Sequence, residues 1–228
     1  MTNAEQPFPA FLGKRQLIGI GIFCKFGAGV RLQIVQAGEE ILRRPARELS
    51  REEILSNKVQ DLIENMKETM RHAPGVGLAA PQVGVSLQLA VIEDREEYHK
   101  KLTEDQLRQR QRRAVPFHVV INPRITSLES TNVEFFEGCL SVAGYSAIVP
   151  RAQAVSVDYL DERAEPRTVQ AVGWYARILQ HEIDHLQGKL YVDRMKSETL
   201  TTLENLERFW KDLSAAEVQK TLSSHNRD

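Results

Sequence analysis

The 228-residue chain has only two cysteines, Cys24 and Cys139, no surplus of either charge and no long apolar run. Two thiols cannot build a disulfide scaffold, so a reducing compartment is the expectation. A formal net charge of -1 gives no reason to expect nucleic acid as a main partner. No stretch approaches the roughly 20 consecutive apolar residues that a membrane-spanning helix needs. Internal repeats and low-complexity linkers are missing as well. What is left, with 42% hydrophobic and 27% charged residues, is an ordinary globular composition for one sizeable core or at most two small ones.

The first thirty residues differ in character from the rest of the chain. "QLIGIGIFCKFGAGV" is apolar and glycine-rich but too interrupted to span a bilayer. Lys14 and Arg15 precede its apolar part and Ala28-Gly29 follow that part, features of a leader. The expectation adopted is that residues 1–30 are a dispensable extension, with organelle targeting as the alternative. A regular pattern begins at "RLQIV", which reads as a short strand. Ser50 with Glu53, and Asn57 with Gln60, have the spacing of helix capping boxes. Val59, Leu62, Ile63, Met66 and Met70 recur at helical spacing and predict a helix over 57–71. "LQLAVIE" (87–93) reads as a buried strand, 94–114 as a charged surface excursion, and "FHVVINP" and "NVEFF" as strands, the first ended by Pro123. "AVSVDYL" and "TVQAV" form a hairpin around "DERAEPR". A helix runs from about 173 to 188, and a last one over 197–213 carries Leu200, Leu203, Leu206 and Trp210 as an apolar stripe. Short strands with three helices and no βαβ alternation indicate an α+β domain.

The stretch "HEIDHLQG" (181–188) carries chemistry. On a helix His181 and His185 are four residues apart and project from one face, a good grip for one divalent ion. Glu182 adjoins the first of them and can lean over an open coordination position, which is the logic of H-E-x-x-H. Which third ligand completes the set stays open at this level. One zinc-peptidase pattern would place a histidine where Tyr191 stands, and another takes a downstream glutamate, for which Glu198 or Glu204 could serve. Cys139 in "EGCLS" (137–141) offers a thiolate instead. A third stretch, "GVGLAAPQVG" (75–84), is by itself a turn of small residues, and no lysine-bearing helix comes after it to make a phosphate loop.

Taken together, G-x-G-L-A-A-P-Q, E-G-C-L-S and H-E-x-x-H resemble the peptide deformylase family in order and spacing, over about residues 31–195. The resemblance implies a fold of short, mostly antiparallel strands around a central helix that carries H-E-x-x-H. It implies Cys139, His181 and His185 as ligands of one ion, ferrous iron, Fe(2+), in many members, with zinc, nickel or cobalt as substitutes. Glu182 would be the general base and acid, and the backbone N–H of Leu140 and the amide of Gln82 would donate to the developing oxyanion. The implied activity is removal of the formyl group from the N-terminal formylmethionine of nascent proteins. Gly75, Val76, Gly77 and Gly138 would lie against an extended substrate backbone, and Val76, Trp174 and Ile178 would line the methionine pocket. Residues 196–228 are expected as a C-terminal helix and tail. Arg208, Lys211 and Lys220 could reach the ribosome, although acidic neighbours weaken that case. Bacterial cytoplasm is the expected location. A zinc endopeptidase is the second reading, and a non-catalytic metal-stabilised binding module the third.

Overall fold

The computed structural model describes residues 29–73 and 75–224. The expectations for residues 1–28, Cys24 included, lie outside the described residues.

The first helical turns are set by capping. Ser50 and Glu53 form a reciprocal capping box at the start of α1 (Arg51–Leu55), as expected. The next helix, α2 (Asn57–His72), is capped by Ser56, whose side chain accepts from the Val59 N–H, rather than by the Asn57–Gln60 pair. The difference is one of register, because Ser56 already serves the orphan N–H and Asn57 is left inside the first turn. Val59, Ile63, Met66 and Met70 are buried as the helical spacing predicts.

Five antiparallel strands form the main sheet in the order β1-β2-β3-β6-β7: β1 (Gly77–Ala79), β2 (Leu89–Asp94), β3 (Val115–Leu128), β6 (Ala154–Leu160) and β7 (Pro166–Val172). Every residue of β2 is buried, because both faces of the sheet are covered. Leu89 and Val91 pack with Ile63, Met66 and Met70 of α2 on one side. On the other, Ile92 packs with Ile178, Leu179 and Ile183 of α5 (Gly173–Leu186). Ala79 and Ala90 meet Leu186, and these small side chains let α5 lie close to the sheet. Each fully buried Ile, Leu or Met side chain contributes roughly 1.5–3 kcal/mol. A second sheet has the order β4-β5-β8, from β4 (Asn132–Cys139), β5 (Val142–Ala152) and β8 (Thr201–Thr202). The α+β expectation holds, with the H-E-x-x-H helix between the sheets.

Three local expectations are corrected. Residues 31–35 are extended but not a strand. Their neighbourhood is tied to side chains and loops, through Val30 N–H to Asn65, Leu32 N–H to Thr69 and Val35 N–H to the Gln82 carbonyl. Pro123 does not end β3. The strand's register slips between Ile121 and Arg124, Asn122 has φ +50°, and its side chain pairs with both backbone groups of Leu49. Proline's missing N–H thus falls at a bulge, where the ladder is already interrupted. Residues 197–213 are not one helix but a chain of short turns around β8, α6 (Leu203–Asn205) and a π-turn over Leu206–Trp210. A helix α7 (Ala215–Ser224) comes last.

The charged excursion contains α3 (Glu96–His99) and α4 (Glu104–Gln109), and it packs on the start of α5. Asp94, almost fully buried, takes a two-pronged contact from Arg112 at 2.8 and 2.9 Å. The Trp174 backbone N–H donates to the Arg110 carbonyl at 2.9 Å. Gly173 permits this: its φ is +60°, and a Cβ there would stand 2.6 Å from the Arg110 oxygen. Gly173→Ala is therefore expected to lower stability by about 2 kcal/mol or more in urea denaturation. A loss below about 0.5 kcal/mol would contradict this packing.

Candidate active site

Cys139 ends β4, where the β4–β5 register shifts, so its side chain turns out of the ladder toward α5. Its sulfur lies 3.3 Å from His185 Nε2, which is 3.2 Å from His181 Nε2. The three ligand atoms lie within 4.8 Å of one another. Two nitrogens each about 2.0 Å from a shared tetrahedral ion stand about 3.3 Å apart, so the spacing fits a metal. One thiolate and two imidazoles suit zinc and also ferrous iron, nickel or cobalt. Glu198 and Glu204 are exposed and are not part of this group, which removes the structural basis for the endopeptidase reading. Tyr191, at the position where a third histidine would sit, is buried and stacks on His181 at 6.5 Å between centroids.

His181 is oriented from behind. Its Nδ1 lies 3.0 Å from Glu137 Oε2, so Nδ1–H donates to the carboxylate and the Nε2 lone pair faces the site. Glu137 also takes two hydrogen bonds from Arg151, both at 2.9 Å, and one from Arg177 at 2.6 Å. Burial opposes its ionisation, yet His181 and Arg151 hold its carboxyl well below the usual range. Arg151 is paired onward to Asp184, and Asp184 to Arg194 at 2.6 and 2.7 Å. None of these supporting residues was assigned a role from sequence. The signals were present all the same: Glu137 opens "EGCLS", Asp184 sits inside "HEIDH", and Arg177 precedes His181 by four residues on the same helical face.

Glu182 is buried, and its Oε2 has no hydrogen-bond partner. Burial pushes its carboxyl up to about 7. A Cβ on Gly77 would overlap this carboxylate, and one on Gly75 would stand 2.9 Å from Leu140 Cδ1. The bare backbones at 75 and 77 thus make room for the protein's own Leu140 and Glu182. At Gly138 the space is open, apart from the Tyr145 carbonyl 3.6 Å from a Cβ. Gln82 lies just beyond β1 in a short 3-10 turn, and the Ala79 N–H at 2.8 Å fixes its carbonyl oxygen. Its amide nitrogen is thereby turned to Ser141 Oγ at 3.3 Å and Cys139 Sγ at 3.5 Å.

Gln82, Cys139, His181 and Glu182 share a cleft of about 460 Å³ with Gly75, Val76, Gly138, Leu140, Ile178 and Glu137 on its walls. Trp174 is not among them, contrary to the sequence expectation. It packs edge-on to Phe135 at 6.1 Å, with the guanidinium groups of Arg110, Arg112 and Arg177 against its ring. Arg177, one turn on, lines the cleft in its place. Replacing Glu137 by Gln leaves buried Arg177 without a countercharge and Arg151 with Asp184 alone. In the metal-stripped protein Glu137→Gln is expected to cost about 3 kcal/mol or more in denaturant unfolding, and an unchanged midpoint would contradict the network.

The family model for polypeptide deformylase matches residues 31–200. A chloroplastic peptide deformylase 1A from Solanum lycopersicum is 47% identical over 174 residues, covering 76% of this chain and 63% of that relative's own length. Peptide deformylase 1 of Bifidobacterium longum is 44% identical over 180 residues, covering 78% of this chain and 79% of the relative. Among solved structures, a class I type b peptide deformylase from Acinetobacter baumannii, bound to Met-Ala-Ser, superposes with a TM-score of 0.65. It is 35% identical, and the match covers 73% of this chain and 99% of that one. The matched span takes in both the strand-end cysteine and the helix with the two histidines, and this chain belongs to the polypeptide deformylase family.

Proposed function

We propose that the chain hydrolyses the formyl group from the N-terminal formylmethionine of nascent peptides, releasing formate and a free amine. The observation that carries the reading is Glu182, a buried carboxylate with a partnerless oxygen, set beside the converging Cys139, His181 and His185 atoms. A divalent ion held by those three residues supplies Lewis acidity that makes a water nucleophilic near neutral pH.

The remaining work falls to the chain's own groups. Glu182 accepts a proton from the attacking water and delivers it to the departing amine nitrogen, and its raised proton affinity suits both duties. Charge that grows on the formyl oxygen meets the Gln82 amide, already aimed into the cleft, and the Leu140 backbone N–H. Losing one such donor typically costs about two to three orders of magnitude in rate. Gly75, Val76, Gly77 and Gly138 border the extended substrate, and Val76 and Ile178 receive the methionine side chain. The Acinetobacter baumannii relative holds Met-Ala-Ser, a peptide with the chemistry of a deformylated product.

Ferrous iron is the proposed ion, with zinc, nickel or cobalt able to replace it. Residues 31–195 are the proposed catalytic domain, and bacterial cytoplasm is the proposed location, with organelle targeting by residues 1–30 as the alternative. The ribosome is a proposed partner on the ground that formylated chains emerge there. No helix among the described residues is long and apolar enough to cross a membrane.

Formate release from formyl-Met-Ala tests the reading. Glu182→Gln is expected to lower kcat by about 10²–10⁴-fold while keeping one ion per chain by metal analysis. Cys139→Ala is expected to lose the ion on dialysis against a mild chelator. Internal cleavage of longer peptides, or full ion retention without Cys139, would contradict the proposal.

A further inference from the structure

Gln180 and Asp184, on a face of α5 that the catalytic cleft does not use, line a second cavity of about 530 Å³. The two cavities have no lining residue in common. The floor of the second is Arg151, Gln180 and Asp184, all buried. All three are fixed in place. Gln180 is clamped to both backbone groups of Ala152, at 3.1 and 2.9 Å, and Arg151 is held between Glu137 and Asp184. One wall is apolar, from Ile125, Leu128 and Pro150. Leu128 is 56% exposed, so its side chain gains little for folding from that position. A cavity of this size, part apolar and part polar, is in the range that holds a small molecule.

The ion network leaves a positive excess at this end. Two carboxylates, Glu137 and Asp184, face three guanidinium groups, those of Arg151, Arg177 and Arg194. Arg194 is the exposed member and lines the cavity. Its Nε and Nη2 grip Asp184 at 2.6 and 2.7 Å, which aligns the guanidinium, and its Nη1 has no partner among the described residues. Glu129 lines the same cavity, and its carboxylate meets no cation among the described residues. Asp193, by contrast, is taken by Arg43 and the Leu190 N–H. A simple anion would be repelled by Glu129 and Asp193, and a simple cation by Arg194. A ligand carrying both charges satisfies both ends.

We propose that this cavity binds a free α-amino acid with an apolar side chain. The carboxylate pairs with Arg194 Nη1, the ammonium with Glu129, and the side chain lies on Ile125, Leu128 and Pro150. Leu128 and Glu129 adjoin in the chain, so the ammonium and the apolar arm of the ligand must branch from neighbouring atoms, as they do at an α-carbon. The site is separate from the catalytic cleft and does not depend on the deformylase reading.

Titration of the zinc-loaded full chain with L-leucine, read by calorimetry and by amide NMR shifts, tests the site. Binding is expected at a Kd of about 1 mM or below, with shifts at Leu128, Glu129 and Asn132 that are separate from any response at Val76 and Gly77 in the catalytic cleft. N-acetyl-leucine lacks the ammonium and isoamylamine lacks the carboxylate, and each is expected to bind about fivefold more weakly, as fits half-exposed ion pairs. Glu129→Gln is expected to weaken leucine by about fivefold, to leave N-acetyl-leucine unchanged and to keep the unfolding midpoint, since that carboxylate holds nothing in the fold. Leu128→Ser is expected to weaken both ligands. Absence of shifts at Leu128, Glu129 and Asn132 at about ten times the expected Kd overturns the site. So does equal binding of leucine and N-acetyl-leucine, or leucine binding unchanged in Glu129→Gln. Each of these results leaves the deformylase reading intact, because none is a measurement of turnover.

Discussion

A single buried carboxylate joins the two halves of the site. Glu137 on β4 faces His181 and Arg177 on α5 and Arg151 on β5. It therefore ties the strand that presents Cys139 to the helix that presents both histidines. In a low-dielectric interior an uncompensated charge is costly, and partners are stable only when all are present together. The network then behaves as one cooperative element. It fixes the ring orientation of His181, and Asp184 and Arg194 extend it to the surface.

The cleft arises from how closely α5 approaches the main sheet. Ala79 and Ala90 under Leu186 let the helix settle, and the bare backbone of Gly77 leaves space for Glu182. Glu182 is thus held in an apolar wall rather than in water, which is why its carboxyl keeps its proton more readily than a free one. The same closeness brings Gln82 within reach of Cys139 and Ser141. Glu182, the three converging side chains Cys139, His181 and His185, and Gln82 come from separate parts of the chain and meet at a cleft beside α5.

How far this was legible in the sequence depends on the range of the interaction. The i, i+4 spacing of His181 and His185 and the apolar stripe of α2 are local and were readable. Cys139 as third ligand could be narrowed only by the resemblance of three motifs, since nothing local brings residue 139 to residue 185. Glu137, Arg151 and Asp184 escaped because a buried ion network has no periodicity. Trp174 was misplaced for a related reason: its helix position allowed either direction, and the arginines of the charged excursion draw it away from the cleft. The 197–213 stripe failed because pairing with β5 overrode helical propensity, which is a weak prior against tertiary contact. The strand expected at 31–35 failed likewise, the Leu32 N–H being taken by the Thr69 hydroxyl and the Val35 N–H by the Gln82 carbonyl in place of a strand ladder.

The account stands on one strand-end thiolate and two helix imidazoles sharing an ion. X-ray absorption at the metal edge of anaerobically purified, fully loaded protein tests that directly. The account predicts one sulfur at about 2.3 Å and two imidazole nitrogens at about 2.0–2.1 Å, the sulfur contribution vanishing in a chain that lacks the Cys139 thiol. A first shell of nitrogen and oxygen alone in the unaltered chain would contradict it.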